Sequence, residues 1–409
     1  MSVFSIISIF VTVAALASWV NHRYIRLPGT VGLMTIGLIM SLAVIGLDKL
    51  GLDIGGWVEN VMGSIDFSEA LMKGMLSFLL FAGAIKIDLG DLLQQKFVVS
   101  ILATGGVVIT TLLVGVVLHF ALMPMGLELP FAWCLVFGAL IAPTDPVAVL
   151  SILKSVHAPK SLEVKIAGES LFNDGVGVVV FMVMLAIAAS TETVTVGSVV
   201  MLFLHEAVGG VLFGILIGWI AFHLLKSIDD YAVEVLITLA LVCGGYSLAT
   251  VMDLSGPIAI VVAGLLIGNY GRHLAMSETT RDHLDKFWEL VDETLNAVLF
   301  IWIGLEILIL HFTMSYFWAG LLAIPVVLAA RLISVWLSVS LLRFRRQFTE
   351  RAVGILTWGG LRGGISIALA LSLAAGPERD LIVSITYVVV VFSILVQGLT
   401  IKPYVQSIS

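Results

Sequence analysis

Residues 130–153 read PFAWCLVFGALIAPTDPVAVLSIL, and the run is interrupted near its middle by Ala142-Pro143-Thr144-Asp145-Pro146. About 20 apolar residues cross a bilayer as a helix, so the length fits a membrane span. The interruption does not fit an unbroken helix. Proline lacks an N–H and clashes with the preceding turn, and here two prolines flank an aspartate. In lipid every freed carbonyl must find a partner, so broken backbone survives only against protein or a watery cavity. A charge at mid-membrane costs at least about 2.5–3.5 kcal/mol, so Asp145 needs a partner or a task. A proline kink with a satisfied aspartate is the plainer alternative, but a kink requires neither the second proline nor the acid.

The rest of the chain is equally apolar. Of 409 residues, 60% are hydrophobic and 12% charged, with a mean hydropathy of +1.12. An ordinary soluble domain carries about 25% charged residues, and too few are present here to coat a globule. The balance of 21 basic against 28 acidic residues gives −7, with no basic block to meet phosphates, which excludes a nucleic-acid partner. Cys134 and Cys243 lie in apolar runs and are expected to be small buried hydrophobes.

The expected fold is an all-α integral membrane protein, because the apolar runs are continuous and do not alternate as barrel strands do. Thirteen spans are predicted: 3–20, 31–47, 67–86, 97–121, 130–153, 166–190, 202–226, 232–252, 256–270, 285–310, 314–342, 352–375 and 380–400. The joints are short and leave no room for a soluble domain. The ninth span is short, and residues 193–204 read either as the start of the seventh or as a surface helix.

The positive-inside rule sets the direction. With the N-terminus outside, sixteen of the 21 basic residues fall on the cytoplasmic side, among them Lys86, Lys96, Lys160, Lys165, Arg343, Arg345, Arg346 and Arg351. Lys49 and Arg379 fall outside, and Lys73, Arg331 and Arg362 lie within spans. One missed helix would scramble every later loop.

The twelfth span carries a second interruption, Gly359-Gly360-Leu361-Arg362-Gly363-Gly364. Spans 1–6 and 8–13 enter from opposite sides, which suggests repeat one over 1–190, a linker helix over 195–227 and repeat two over 231–400. The broken spans 5 and 12 then occupy matching places in two inverted halves, the arrangement that marks a transport site at their crossing. A tight helix contact alone would explain the glycines but not the arginine.

The sixth span supplies Gly168-Glu169-Ser170-Leu171-Phe172-Asn173-Asp174-Gly175. Glu169 with Asn173, and Ser170 with Asp174, form two adjacent stripes on one helix face. An all-oxygen set suits a small, hard monovalent cation and offers no thiolate or imidazole to a transition metal. Arg331, deep in the eleventh span, fits a partner such as Glu169. Asp174 is then the acid left without a permanent counter-ion, able to hold a proton or a cation but not both.

On these motifs, together with Phe287-Trp288-Glu289, Asn296 and Phe300, the chain resembles the monovalent cation:proton antiporters, the sodium/proton exchangers, over essentially its whole length. The resemblance implies thirteen helices, inverted repeats with crossed broken helices, and a homodimer in the plasma membrane (the inner membrane of a bacterium). It implies transport and no enzymatic activity, and no cofactor beyond the transported Na+ or Li+ and H+. Asp174 would bind the ion and the proton, with Thr144, Asp145, Ser170 and Asn173 forming or supporting the cation site. Asn173 marks the electroneutral subclass, with one-for-one exchange serving cytoplasmic pH and sodium homeostasis. Glu169 and Arg331 would be a structural ion pair, and Arg362 would stabilise the second broken helix. Some relatives place a glutamate in the third span, where Ala82 stands here. No soluble partner is implied.

A passive cation channel and a symporter or anion carrier remain as alternatives on the same architecture. Glu289, Asp292 and Glu293 read either as an inner funnel or as a wet helix start. Glu206, Glu234 and Glu306 read as ordinary interfacial acids.

Overall fold

The computed structural model describes residues 3–51, 55–63, 66–155, 160–189, 196–310, 313–342 and 352–407. The loop histidine His157 and the basic run Arg343, Arg345, Arg346 and Arg351 lie outside the described residues, as does the side chain of Lys73.

Among the described residues, nine helices are long and apolar enough to cross a membrane. They are α1 (Phe4–Ile25), α2 (Gly29–Lys49), α3 (Phe67–Ala84), α4 (Lys96–Met125), α7 (Lys160–Ala189), α8 (Met201–Lys226), α9 (Tyr231–Val251), α12 (Met314–Leu342) and α15 (Pro377–Gln406). Between them come α5 (Phe131–Ile141), α6 (Val147–Ser155), α10 (Gly256–Gly271), α11 (Glu278–Glu306), α13 (Ala352–Trp358) and α14 (Gly364–Leu371). The fold is that of an all-helical membrane protein. The four other expected spans are short, charged or broken. Span 9 is the short α10, span 10 is α11 with its acid-rich first half, and spans 5 and 12 are the pairs α5–α6 and α13–α14. Helix runs unbroken from Val196 to Lys226, so residues 196–204 extend the seventh span and are not a separate surface helix.

Helix starts are set by local chemistry. Asp230 accepts from Ala232 N at 2.9 Å and Val233 N at 3.3 Å to open α9. Ser255 caps α10, which has proline in its first turn, and Ser277 caps α11. These side chains satisfy N–H groups that no helical carbonyl can reach.

Burial sorts the helices. The apolar window of α15 is 78% buried against 28% for α1 and α8, so α15 is central and the other two present their flanks outward. Phe4, Leu16, Trp19, Leu212 and Trp219 are exposed, which water would penalise and lipid does not. One expectation fails at this level. Cys243 is exposed on α9 while Cys134 is buried, because the outward face of a lipid-facing helix need not be polar. Glu234 and Glu306 lie at helix ends as expected, but they are 0% and 4% exposed, so their side chains face protein. Glu234 accepts a hydrogen bond from Thr280 Oγ1 at 3.4 Å.

Candidate functional site

The two interruptions meet. α5 stops at Ile141 and α6 begins at Val147, while α13 stops at Trp358 and α14 begins at Gly364. Between them Asp145 N donates to Leu361 O at 2.8 Å, an isolated antiparallel bridge where the two broken segments touch.

Proline decides which groups need partners there. In a continuous helix Ala142 O would accept from residue 146, which is proline and has no N–H. Pro143 O would accept from Val147 N, but that N–H donates to Asp145 Oδ1 at 2.9 Å and so starts α6. Arg362 replaces both donors, with Nη1 2.5 Å from Ala142 O and 2.9 Å from Pro143 O. Its positive charge lies at the C-terminal end of α5, where the helix dipole is negative. The expectation that Arg362 stabilises the second broken helix is therefore corrected. Its guanidinium serves the first, because the proline-freed carbonyls are there.

The second break is satisfied by other residues. Arg331 Nη2 donates to Leu356 O at 3.1 Å, and Gln397 Nε2 donates to Trp358 O at 3.0 Å. Ser393 Oγ accepts from Arg362 N at 2.9 Å and donates to Gln397 Oε1 at 2.6 Å. Sequence reasoning missed Ser393 and Gln397. Their signal was a polar pair four residues apart inside an otherwise apolar run.

The expected ion pair is present. Arg331 Nη1 is 2.5 Å from Glu169 Oε1, and the two side chains are 5% and 2% exposed. Breaking such a buried pair costs about 3–5 kcal/mol because the survivor keeps an uncompensated charge. Gly360 makes room for it: a Cβ there would lie 2.8 Å from Arg331 Nε and 3.3 Å from Thr144 Cγ2.

The stripes on α7 divide differently from the expectation. Asn173 and Ser170 both turn to Thr144. Asn173 Nδ2 donates to Thr144 Oγ1 at 2.8 Å, its Oδ1 accepts from Thr144 N at 3.3 Å, and Ser170 Oγ donates to Thr144 O. This clamp fixes the peptide next to Asp145. A cavity of about 560 Å³ then reaches the crossing, lined there by Thr144, Asp145 and Asp174 and not by Ser170 or Asn173. Asp145 is held by Val147 N, whereas Asp174 (9% exposed) has no hydrogen-bond or ion-pair partner among the described residues.

A sequence family described as sodium/hydrogen exchanger, transmembrane, matches residues 11–407 of this chain. The chain belongs to the sodium/hydrogen exchanger family. It is 50% identical over 408 residues to the Na(+)/H(+) antiporter NhaP of Pseudomonas aeruginosa, covering 98% of this chain and 96% of that protein. It is 34% identical over 417 residues to the Na(+)/H(+) antiporter NhaH of Halobacillus aidingensis, with 98% and 96% covered. The solved structure of the sodium proton antiporter MjNhaP1 from Methanocaldococcus jannaschii at pH 8 superposes with a TM-score of 0.78 at 18% identity, covering 100% of this chain and 99% of that one. That last likeness is one of fold.

In this exchanger-family chain the α3 wall of the cavity is formed by Leu71, Leu76, Leu79, Leu80 and Gly83, none with a side-chain oxygen. Ala82 is fully buried among Phe81, Ile85 and Trp288 and does not line the cavity. At the mouth, Lys86 Nζ lies 3.2 Å from Asp292 Oδ2 and Lys160 Nζ lies 2.6 Å from Asp91 Oδ2. Solvent screens exposed pairs of this kind, so they shape the mouth more than they stabilise the fold. Of the three acids weighed as a funnel, Asp292 lines the cavity while Glu289 and Glu293 are exposed outside it.

Gly363 offers a direct test of the crossing. A Cβ there would lie 2.6 Å from Asp145 Oδ2 and 2.8 Å from Asp145 Cβ, so the carboxylate must move. Gly363→Ala is expected to raise the half-saturating Na+ concentration about tenfold in proteoliposomes, the shift that about 1.4 kcal/mol produces. An unchanged value would show that the position of Asp145 does not matter for binding.

Proposed function

We propose that this chain is a secondary antiporter exchanging Na+, or Li+, for H+ one for one, by competition at Asp174 with alternating access. The observation that carries the proposal is the contrast between two neighbouring acids. Asp145 is held by a backbone N–H at the start of α6, while Asp174 faces the same cavity with no hydrogen-bond or ion-pair partner among the described residues. A carboxylate in that position needs either a proton or a cation before its burial in the membrane is tolerable. The loaded carrier crosses, and the empty charged form is disfavoured.

Stoichiometry follows from the neighbouring residue. Asn173 spends both amide arms on Thr144 and carries no titratable group, so one uncommitted carboxylate remains for each cycle. The mouth lined by Lys86 and Lys160 lies on the side that the positive-inside rule makes cytoplasmic, so the cavity opens inward, with the N-terminus outside and the C-terminus inside. The inverted-repeat reading is supported by which helices pack. α2 packs on α11 and α10 on α3, contacts that exchange with each other when spans 1–6 are mapped onto 8–13, and α4 packs on α12, the pair that maps onto itself. Thirteen spans, with α5–α6 and α13–α14 as the crossed pair, fit this scheme. A homodimer in the plasma membrane of a bacterium, serving pH and sodium homeostasis, completes the proposal.

The test is a dye-quench assay in proteoliposomes with Na+, Li+ and K+ in turn, with and without a clamped membrane potential. Sodium-driven proton movement whose rate is the same under both conditions is the expected result. A rate that follows the potential overturns the one-for-one stoichiometry, and a sodium current without proton movement favours a channel.

A further inference from the structure

We propose that Asn296 is a selectivity-determining ligand on the path to Asp174; this rests on the exchange reading above. Asp292, Asn296 and Leu299 stand at i, i+4 and i+7 of α11, on one face, and all three line the cavity. The row has a direction. Asp292 is at the mouth with Lys86, and Leu299 packs against Gly364, the first residue of α14, where a Cβ would lie 2.8 Å from Leu299 Cδ1. Asn296 therefore sits between mouth and crossing, and only 8% of it is exposed.

The orientation of its amide is fixed by chemistry. Asn296 Nδ2 donates to Asp292 Oδ1 at 2.9 Å, and a carboxylate can only accept, so the nitrogen arm is the one engaged. Lys86 holds the other oxygen of the same carboxylate at 3.2 Å. The chain Lys86–Asp292–Asn296 leaves Asn296 Oδ1 for the cavity. To the same cavity α3 contributes Leu71, Leu76, Leu79, Leu80 and Gly83, so a cation shedding water finds no side-chain oxygen on that wall. A neutral amide oxygen replaces a water ligand without adding charge. It therefore discriminates among hard monovalent cations by size and hydration, while the acids at the crossing supply the attraction.

The experiment compares the parent, Asn296→Ala and Asn296→Ser in proteoliposomes, titrating Na+ and Li+ separately at fixed pH. In Asn296→Ala the half-saturating Na+ concentration should rise about fivefold, as the loss of one contact worth about 1 kcal/mol predicts. The Na+ to Li+ ratio should move by at least about twofold, because the two ions differ in size and dehydration cost. Asn296→Ser, which keeps a neutral oxygen, should fall between the two. A purely structural role would lower yield or maximal rate for both ions alike and leave the ratio in place. An unchanged ratio in Asn296→Ala, or in Asn296→Ser if the alanine variant does not fold, overturns the assignment. A parent without sodium-driven proton movement overturns the exchange reading itself, and this assignment with it.

Discussion

Asp174→Asn is expected to abolish sodium-driven and lithium-driven proton movement in proteoliposomes, with yield and thermal stability close to those of the parent. Asparagine has nearly the shape of aspartate, and no hydrogen-bond or ion-pair partner of Asp174 among the described residues is lost by the exchange. What disappears is the charge that a proton or a cation must neutralise in turn. Transport should fall by several orders of magnitude, far beyond the roughly fivefold expected from one lost neutral contact.

The same competition fixes the sign of the pH dependence in the parent. Protons and Na+ claim one carboxylate, so the half-saturating Na+ concentration rises as pH falls. The limiting slope is about tenfold per pH unit once the protonated form predominates. Exchange persisting in Asp174→Asn, or a half-saturating concentration indifferent to pH, would end the single-site account.

Arg331→Ala is expected to have the largest effect on stability. It strands Glu169 at 2% exposure and removes the donor that Leu356 O uses at the second break. The loss is about 3–5 kcal/mol, the range for leaving one buried charge alone. It should be read as yield of monodisperse protein and as the thermal midpoint, and not chiefly as ion affinity. The paired variant Glu169→Gln with Arg331→Ala should recover part of the loss, because no bare charge remains. If Arg331→Ala is as stable as the parent, Glu169 has another counter-charge and the pair is not structural.

How much of the site could be read in advance depends on the range of each interaction. The prolines at 143 and 146 announce the broken helix wherever the chain goes, since a missing N–H is a property of the residue itself. Glu169 and Arg331 are both too costly to bury alone, so charge balance pairs them before any coordinates are known. Arg362 is different. The residue plainly needs acceptors, but its reach to Ala142 and Pro143 across 220 and 219 positions of chain depends on how α14 lies against α5. Ser170 and Asn173 had the right chemistry to form or support a cation site, and only packing shows that they hold Thr144, which lines the cavity.

The sequence by itself therefore determined that the chain lives in a membrane, where its helices break, and that Asp174 is an acid with no obvious partner. These follow from hydrophobicity, missing donors and charge, which act locally or by simple balance. The tertiary structure alone decided which acid at the crossing is held by a backbone N–H, which arginine serves which break, and that α11 lends Asn296 to the path. Each of those depends on a few ångströms of packing between helices remote in sequence, and residue type carries no record of such distances.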